Sequence, residues 1–493
     1  KEITAPYGMV LNEKVHSVEL VYAGQNVDVT ETGTSFYNER QRVEIDLIKS
    51  LAIDEAYGIG KNGEIFDVTF GLYAAEELTA ADGKTIPADG LIEVISLDES
   101  GHGKAISDLP MGSYYVQEIS TNSAYIVSDA KYPVTFEYAG QDAETVRITA
   151  NEGEAITNDI IYGSVSGKKS DEDGKALGSA VIGIFKTGTT EFTKENAIAA
   201  TTSKDDGSFS FVKVPYGTWI IREIESPKGY VLSEEEIAVT IGKVDEVVEI
   251  ELVNYFIKGN IALTKVDEDY PDNKLSGAVF EVYSDTNGDG KLDKDDTLLG
   301  EMKELDGGVY QMSELRYGKY LVKETKAPTG FVLDENVYAV SIEENGKTYT
   351  VENKAGVGFI NAAQKGSLKI VKTSSDGKVE GFSFRVTGVD YDQTFKTDKN
   401  GEIVIEGLRI GDYTVSEVSD KASAGYILPA DKQVTVKVNA TAIVQMHNEF
   451  RDTPKTGDDF NLGLWVSLAA LSVVGAGVLG FVGYKNRKKK KED

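Results

Sequence analysis

Short segments in which apolar and polar residues alternate recur through the first 450 residues. Ile261, Leu263 and Lys265, for example, occupy every second position of one such segment. A period of two is typical of β-strands, whose side chains point alternately to the two faces of a sheet. Turn pairs such as Asn400-Gly401 separate the segments, and no long amphipathic helical pattern precedes residue 460. The pattern predicts an all-β chain of tandem antiparallel β-sandwiches, each with about seven strands.

Three polar signatures repeat along these segments with a period of about 90 to 120 residues, which is far longer than a solenoid repeat. One is a lysine that follows a glycine by six residues in three of the four repeats, and another is a glutamate that follows a different glycine by six residues. The third is an asparagine that closes an apolar strand, 11 positions before the next lysine wherever such a lysine follows. The residues concerned are Lys49, Lys169, Lys265 and Lys372; Glu118, Glu223, Glu324 and Glu417; and Asn158, Asn254, Asn361 and Asn448, with Glu2 and Asn38 in an incomplete first unit.

The repeats divide the chain into six predicted segments. Residues 1–40 are the C-terminal part of a truncated repeat. Glu2 and the turn that follows it, up to Gly8, match the repeated glutamate and its turn in the second and third complete repeats. We therefore expect that an N-terminal part, with any signal peptide, is missing from this sequence. The remaining predicted segments are residues 41–160, 161–256, 257–363 and 364–450, each one sandwich, and residues 451–493.

The lysine, glutamate and asparagine of nearly every repeat share the face of their strand with apolar residues, so the pleat places them in the core. Lys169 has this parity and Lys168 does not. Burial without a partner costs several kcal/mol or more, and it favours the neutral forms of lysine and glutamate. A neutral lysine amine is a nucleophile, and a protonated glutamate can polarise the asparagine carbonyl and move protons as ammonia leaves. The alternative is a Lys–Glu salt bridge at a sheet edge, with the asparagine as a turn residue.

The C-terminal segment carries a membrane-span pattern. Residues 460–484 contain no charged side chain, and a helix over residues 462–484 would be about 35 Å long, enough to cross a bilayer. Basic residues fill most of 485–491, so this end is expected to stay in the cytoplasm. The pattern predicts a single transmembrane helix, which taken alone could be a permanent anchor.

The five residues Thr453, Pro454, Lys455, Thr456 and Gly457 resemble the Leu-Pro-x-Thr-Gly motif that sortase transpeptidases read. The family's order of pentapeptide, apolar helix and basic tail is present, although Thr453 stands where leucine is usual. The resemblance implies cleavage between Thr456 and Gly457 and transfer of the Thr456 carbonyl to an amine of the peptidoglycan precursor. It places the protein outside the cell, on the cell wall, with only transient membrane attachment before sorting.

The repeating trios resemble those of the Cna B-type (SpaA-like, prealbumin-like) domains of Gram-positive pilins and adhesins, which have an immunoglobulin-like sandwich and form Lys–Asn isopeptide bonds. The resemblance covers nearly all of residues 1–450 and implies a wall-anchored stalk or pilin-type adhesin. Its partners would be sortase, the peptidoglycan precursor, and host ligands or other pilins. It implies no enzyme activity beyond autocatalytic bond formation, and no required cofactor. The implied trios are Lys49/Glu118/Asn158, Lys169/Glu223/Asn254, Lys265/Glu324/Asn361 and Lys372/Glu417/Asn448.

Two alternatives stay open for the whole protein. The repeats could be the spacer of a wall-anchored hydrolase whose catalytic domain precedes residue 1. A polymerising pilus backbone is disfavoured, because Tyr132-Pro133 and Tyr270-Pro271 are not followed by the lysine of the Tyr-Pro-Lys-like motif.

Composition removes several other classes of function. The net charge of −30 excludes nucleic acid as a partner. The chain has no cysteine, which excludes disulfides, thiolate-ligated zinc and thiol catalysis. Its three histidines are far apart in the sequence and suggest no catalytic triad.

One loop in the third repeat follows the twelve-residue pattern of oxygen ligands that binds calcium. The expected glycine is at position 6, the last ligand is aspartate rather than glutamate, and no flanking helices are evident. The alternative is a solvated acidic hairpin loop. The ligand positions are Asp285, Asn287, Asp289, Lys291 (through its backbone carbonyl), Asp293 and Asp296.

Overall fold

Alternation in the sequence becomes alternation of burial in the computed structural model, which describes residues 1–28 and 30–451. In the strand Lys258–Asp267, Ile261, Leu263 and Lys265 are buried and the residues between them are half-buried. Four two-sheet sandwiches follow one another along the chain. The only helices among the described residues are two 3-10 turns, Glu64–Asp67 and Ala150–Gly153. The prediction of an all-β chain of tandem sandwiches is confirmed.

The first sandwich packs two sheets and a small ribbon around one apolar core. One sheet has β1 between β10 and β6, with β9 also on β1; the other runs β5, β2, β7, β8; and β3 pairs with β4. The strands are β1 (Arg42–Leu51), β2 (Thr69–Ala74), β3 (Leu78–Thr79), β4 (Thr85–Ile86), β5 (Leu91–Ser96), β6 (His102–Ala105), β7 (Gly112–Ser120), β8 (Lys131–Phe136), β9 (Thr145–Thr149) and β10 (Ile156–Asn158).

The second sandwich is simpler. Its first sheet has the order β14, β11, β17, and its second sheet runs β13, β12, β15, β16. The strands are β11 (Tyr162–Asp171), β12 (Val181–Lys186), β13 (Ala199–Thr202), β14 (Ser208–Pro215), β15 (Gly217–Glu225), β16 (Ile237–Ile241) and β17 (Val247–Asn254).

The third sandwich repeats this plan with extra short strands. One sheet runs β21, β22, β18, β25, with β26 also on β18, and the other runs β20, β19, β23, β24. The strands are β18 (Lys258–Asp267), β19 (Val279–Ser284), β20 (Thr297–Glu301), β21 (Lys303–Glu304), β22 (Val309–Arg316), β23 (Gly318–Lys326), β24 (Val337–Ile342), β25 (Thr348–Thr350) and β26 (Phe359–Asn361).

The fourth sandwich has two four-stranded sheets, ordered β30, β27, β34, β32 and β29, β28, β31, β33. The strands are β27 (Lys365–Ser374), β28 (Ser383–Gly388), β29 (Tyr391–Lys396), β30 (Glu402–Arg409), β31 (Gly411–Val418), β32 (Tyr426–Ile427), β33 (Lys432–Val436) and β34 (Thr441–Phe450).

The first and last strands of every sandwich are parallel neighbours: β1 with β10, β11 with β17, β18 with β26, and β27 with β34. The expectation of a purely antiparallel sandwich is therefore wrong at this pair. A tight hairpin imposes antiparallel pairing, whereas these two strands are joined through the whole domain and are free to run in parallel. This pairing brings the two ends of each sandwich side by side.

Charged contacts join the third sandwich to the fourth. Arg409 at the end of β30 donates to Asp267, with Nη1 2.6 Å from Oδ2, and its guanidinium carbon lies 4.8 Å from the ring centroid of Tyr270. Arg316 makes the equivalent contact with Asp173 at 2.9 Å, between the third and second sandwiches. These contacts between sandwiches were not predicted from the sequence.

Within residues 1–28 and 30–451, no helix has the length and apolar character needed to cross a bilayer. The predicted span over residues 460–484 and the pentapeptide 453–457 lie outside the described residues.

Candidate intramolecular cross-link sites

The four predicted lysines lie in the cores of their sandwiches. Each is on the first strand, and its side chain points between the two sheets with the apolar residues of the same parity. Lys265 is completely buried, and the other three expose 2% or less of their surface. A lysine ammonium is almost never fully buried unless it is paired, so four such burials need a chemical reason.

The predicted glutamates approach from the opposite sheet, on the strands β7, β15, β23 and β31. Glu223 and Glu324 are 1% and 0% exposed, and Glu118 is 5% exposed. Glu417 is only half-buried. The sandwich therefore brings together a lysine and a carboxyl group that are far apart in sequence and on different sheets.

The predicted asparagines complete each trio from the last strand. Lysine and asparagine lie on parallel neighbours, in a register that pairs Asp171 with Asn254 and Asp267 with Asn361, two residues beyond the lysine. All four asparagines are buried. Both side chains extend into the core from adjacent strands, and this is the placement that a covalent bridge between them requires.

In all four trios the asparagine amide nitrogen donates to the glutamate. The Nδ2–Oε distances are 2.9 Å from Asn361 to Glu324, 2.7 Å from Asn254 to Glu223 and 2.7 Å from Asn448 to Glu417, and Asn158 donates to both oxygens of Glu118. The predicted bond from a protonated glutamate to the asparagine carbonyl is not formed in these trios. The carboxyl group lies instead beside the nitrogen that would leave as ammonia.

In the first and second trios the lysine amine lies close to the glutamate. Lys49 Nζ donates to Asn158 Oδ1 and lies 3.4 Å from Glu118 Oε1. Lys169 Nζ is 3.7 Å from Glu223 Oε1 and, like Asn254 Oδ1, is buried without a hydrogen-bond partner. Such orphaned atoms are rare in folded proteins.

In the third and fourth trios the amine is held by a backbone carbonyl. Lys265 Nζ donates to the Phe359 carbonyl at 2.9 Å, and Lys372 Nζ donates to the Thr373 carbonyl at 2.7 Å. Asn361 Oδ1 and Asn448 Oδ1 are buried without partners. The core around these asparagines therefore leaves their carbonyl oxygens without donors.

Burial shifts these groups toward their neutral forms. It lowers the pKa of all four lysines, against the opposing effect of the nearby glutamate, and brings that of Lys265 to about 8. Burial likewise raises the pKa of Glu324 and Glu417. A lysine with a lowered pKa beside a glutamate with a raised pKa suits an uncharged amine and a proton-carrying acid in one site.

A glycine with a left-handed backbone supports each lysine, a feature that the sequence analysis missed. The backbone N–H of Lys169 donates to the Gly207 carbonyl at 2.8 Å, and a Cβ on Gly207 would lie 2.3 Å from the Lys169 carbonyl oxygen. Its φ of 76° also favours glycine. The backbone N–H of each of the other three lysines likewise donates to a glycine carbonyl. The turn pair Asn400-Gly401 was visible in the sequence, but the contact of Gly401 with the lysine strand was not.

Three of the glutamates also accept a backbone N–H from the residue ten positions later: Ser128, Ser233 and Asp334, at 2.7 to 2.8 Å. Glu417 lacks this contact, and its Oε2 is buried without a partner. In the fourth repeat the turn after the glutamate has no proline and its glycine comes two residues late. Glu417 has fewer backbone contacts than the other three glutamates.

The incomplete first unit has the asparagine–glutamate pair of the trio. Asn38 Nδ2 donates to Glu2 Oε2 at 2.6 Å, and both residues are half-buried. This matches the pairing of asparagine with glutamate in the four sandwiches, as the repeat alignment predicts.

The predicted calcium loop lies between β19 and β20 of the third sandwich, away from the trio. In the described part of the chain, no three histidine, aspartate or glutamate side chains are already gathered as a metal site.

Comparison with known proteins identifies the repeats. A family model described as "SpaA: Prealbumin-like fold domain" matches residues 58–153, 163–255, 259–355 and 366–450, which is more than half of the chain. No curated protein sequence matches significantly.

Among solved structures, the chain is similar to the Bacillus anthracis TIE protein, at 22% identity over 78% of this chain and 68% of that chain, with a TM-score of 0.49. It is also similar to BcpA, the major pilin subunit of Bacillus cereus, at 16% identity over 58% of this chain and 99% of that chain (TM-score 0.28). The streptococcal ancillary pilin is 19% identical over 65% of this chain and 99% of that chain (TM-score 0.21).

Proposed function

Because the chain belongs to the SpaA family of prealbumin-like fold domains, we propose that it is a surface stalk of the pilin or adhesin type whose four sandwiches are each locked by a Lys–Asn isopeptide bond. The observation that carries the proposal is the placement of a lysine on the first strand, an asparagine on the last strand and a glutamate on the opposite sheet in the core of every sandwich. All of these residues are buried except the half-buried Glu417.

The reaction follows from the geometry of the trio. The neutral lysine Nζ attacks the asparagine Cγ, a Cγ–Nζ bond forms, and the Cγ–Nδ2 bond breaks. The glutamate beside Nδ2 gives its proton to the leaving nitrogen and takes one from Nζ, so ammonia leaves and the carboxyl group is regenerated. The product is an uncharged amide, which removes the cost of burying the lysine amine in the core.

The position of the bond suits a protein under tension. It joins the strand by which the chain enters a sandwich to the strand by which it leaves. A pulling force then passes along covalent bonds, and the chain between the two residues carries none of it.

Attachment to the cell wall completes the proposed role. The pentapeptide Thr453–Gly457 would be cleaved by a sortase after Thr456 and joined to the peptidoglycan precursor, leaving the sandwiches outside the cell. The order of pentapeptide, apolar segment and basic tail supports this. Host ligands or other pilin subunits are the proposed partners of the exposed domains.

The role of the glutamate is tested by Glu324→Gln. We expect this variant to retain one ammonia that the unsubstituted chain loses, about 17 Da in intact mass, because the amide cannot carry the proton. Glu335→Gln is the matched control, since Glu335 is exposed in the same sandwich. If Glu324→Gln loses as much ammonia as the control, the glutamate does not promote the reaction.

Sorting is tested by expressing the full chain, behind a secretion signal, in a Gram-positive host. The unsubstituted chain should appear in the peptidoglycan fraction, and Pro454→Ala should move it to the membrane fraction or the medium. Lys455→Ala is the control, because it changes the variable position of the motif. Equal wall attachment of both variants would exclude this pentapeptide as the signal.

A further inference from the structure

The hairpin loop from Asp285 to Asp296 joins two paired strands of the third sandwich. Ser284 at the end of β19 pairs with Thr297 at the start of β20. This register places the first and last residues of the loop, Asp285 and Asp296, next to each other at its base. The strand pair thereby holds the ends of the loop together, as the flanking helices do in a helix–loop–helix calcium site.

Asp285 is the buried residue of the loop, with 7% of its surface exposed. Its Oδ2 accepts the N–H of Gly290 at 3.1 Å, so the carboxylate faces the interior of the loop. Its Oδ1 is buried without a hydrogen-bond partner, and no lysine or arginine in the described part of the chain forms an ion pair with it. A buried carboxylate oxygen without a donor is costly, and a cation at this oxygen would remove that cost.

The backbone of the loop has the reversal that the calcium-binding pattern requires. Gly290, at position 6, has a φ of 76°, which allows the sharp reversal that the twelve-residue calcium loop needs there. Lys319 on the neighbouring β23 donates from Nζ to the Gly288 carbonyl at 2.9 Å and so seats the loop against the sandwich.

We propose that this loop binds one Ca²⁺ ion. The class of ion follows from the ligands, which are all oxygens and more numerous than the one or two carboxylates with which Mg²⁺ is usually bound. The carboxylates are not gathered around one point in the structure. Like charges repel one another, so the ion itself would draw them together around the buried Asp285. The ligands are the side chains of Asp285, Asn287, Asp289, Asp293 and Asp296 and the backbone carbonyl of Lys291.

The bound ion would fix the hairpin at one end of the third sandwich. The loop is rich in acidic residues that are exposed apart from Asp285 and the half-buried Asp296. With most of its net negative charge neutralised, the loop would become a rigid cap rather than a point of entry for proteases. This site is separate from the Lys265 trio, so its failure and the failure of the isopeptide proposal are independent.

Equilibrium dialysis of the full chain against Ca²⁺ tests the proposal. We expect one ion per chain, with a dissociation constant of about 0.1 to 1 mM, the range of extracellular calcium modules. Millimolar Mg²⁺ should not displace it. Asp289→Ala should abolish this binding without disturbing the fold, because Asp289 is exposed.

Asp295→Ala is the matched control, since Asp295 lies in the same loop at a non-ligand position and carries the same charge. It should bind as the unsubstituted chain does. Asp285→Asn, which keeps the acceptor for Gly290, should also lose the ion. The proposal is overturned if the chain takes up no Ca²⁺ at 10 times the expected constant, or if Asp289→Ala and Asp295→Ala bind alike, which would indicate diffuse attraction to acidic surface.

Discussion

Replacing Lys265 with methionine is expected to destabilise the third sandwich by about 5 kcal/mol. The chain between Lys265 and Asn361 is about 100 residues long, and cross-linking a loop of that size removes about 4.7 kcal/mol of unfolded-state entropy in the disulfide analogy. Methionine keeps the apolar stem of the lysine and avoids the further cost of a cavity. For a domain of this size the thermal midpoint should fall by about 20 °C or more.

Differential scanning calorimetry of the full chain measures this effect. The unfolding transition of the third sandwich should move to a lower temperature than the transitions of the other sandwiches. Lys303→Met is the control, because Lys303 is exposed on the same sandwich and should leave the midpoint unchanged. Glu324→Gln leaves the lysine and the asparagine in place and should lower the transition as Lys265→Met does. If Lys265→Met has the same thermal midpoint as Lys303→Met, the stability of the sandwich does not depend on a bond at Lys265.

Pulling single molecules from both ends should show a still larger difference. With every bond in place, no sandwich can release the chain between its lysine and its asparagine. Lys265→Met should release residues 266–360 in one step of about 300 Å, at about 3.3 to 3.6 Å per extended residue. Force spectroscopy at constant pulling speed resolves a step of this length.

The unsubstituted chain and Lys303→Met should both extend without such a step. Because the force enters and leaves each sandwich at adjacent parallel strands, the bond shields the rest of the domain. Long steps in the unsubstituted chain, at a frequency equal to that in Lys265→Met, would contradict the mechanical role.

The sequence was sufficient to predict that Lys265 and Glu324 lie in the core of the third sandwich. Lys265 and Glu324 share parity with the apolar residues of their strands, and side-chain parity in a strand is a local property. Regular repetition then related each lysine to its asparagine.

Other features depend on contacts between distant residues and could not be predicted from periodicity. The parallel pairing of first and last strands is set by how the chain crosses between sheets. The close approach of Gly207 to Lys169 depends on the pairing of β14 with β11, which brings the turn before β14 against the lysine strand. The contact of Arg409 with Asp267 crosses from one sandwich to the next, where no sequence period applies.

The most direct test of the central claim is a measurement of intact mass, followed by peptide mapping. The chain is first allowed to fold, and its mass is then measured under denaturing conditions. Four isopeptide bonds predict a mass about 68 Da below that of the sequence, at about 17 Da per ammonia, with branched peptides joining each lysine to its asparagine. A mass equal to that of the sequence, with every lysine and asparagine recovered in linear peptides, would contradict the account.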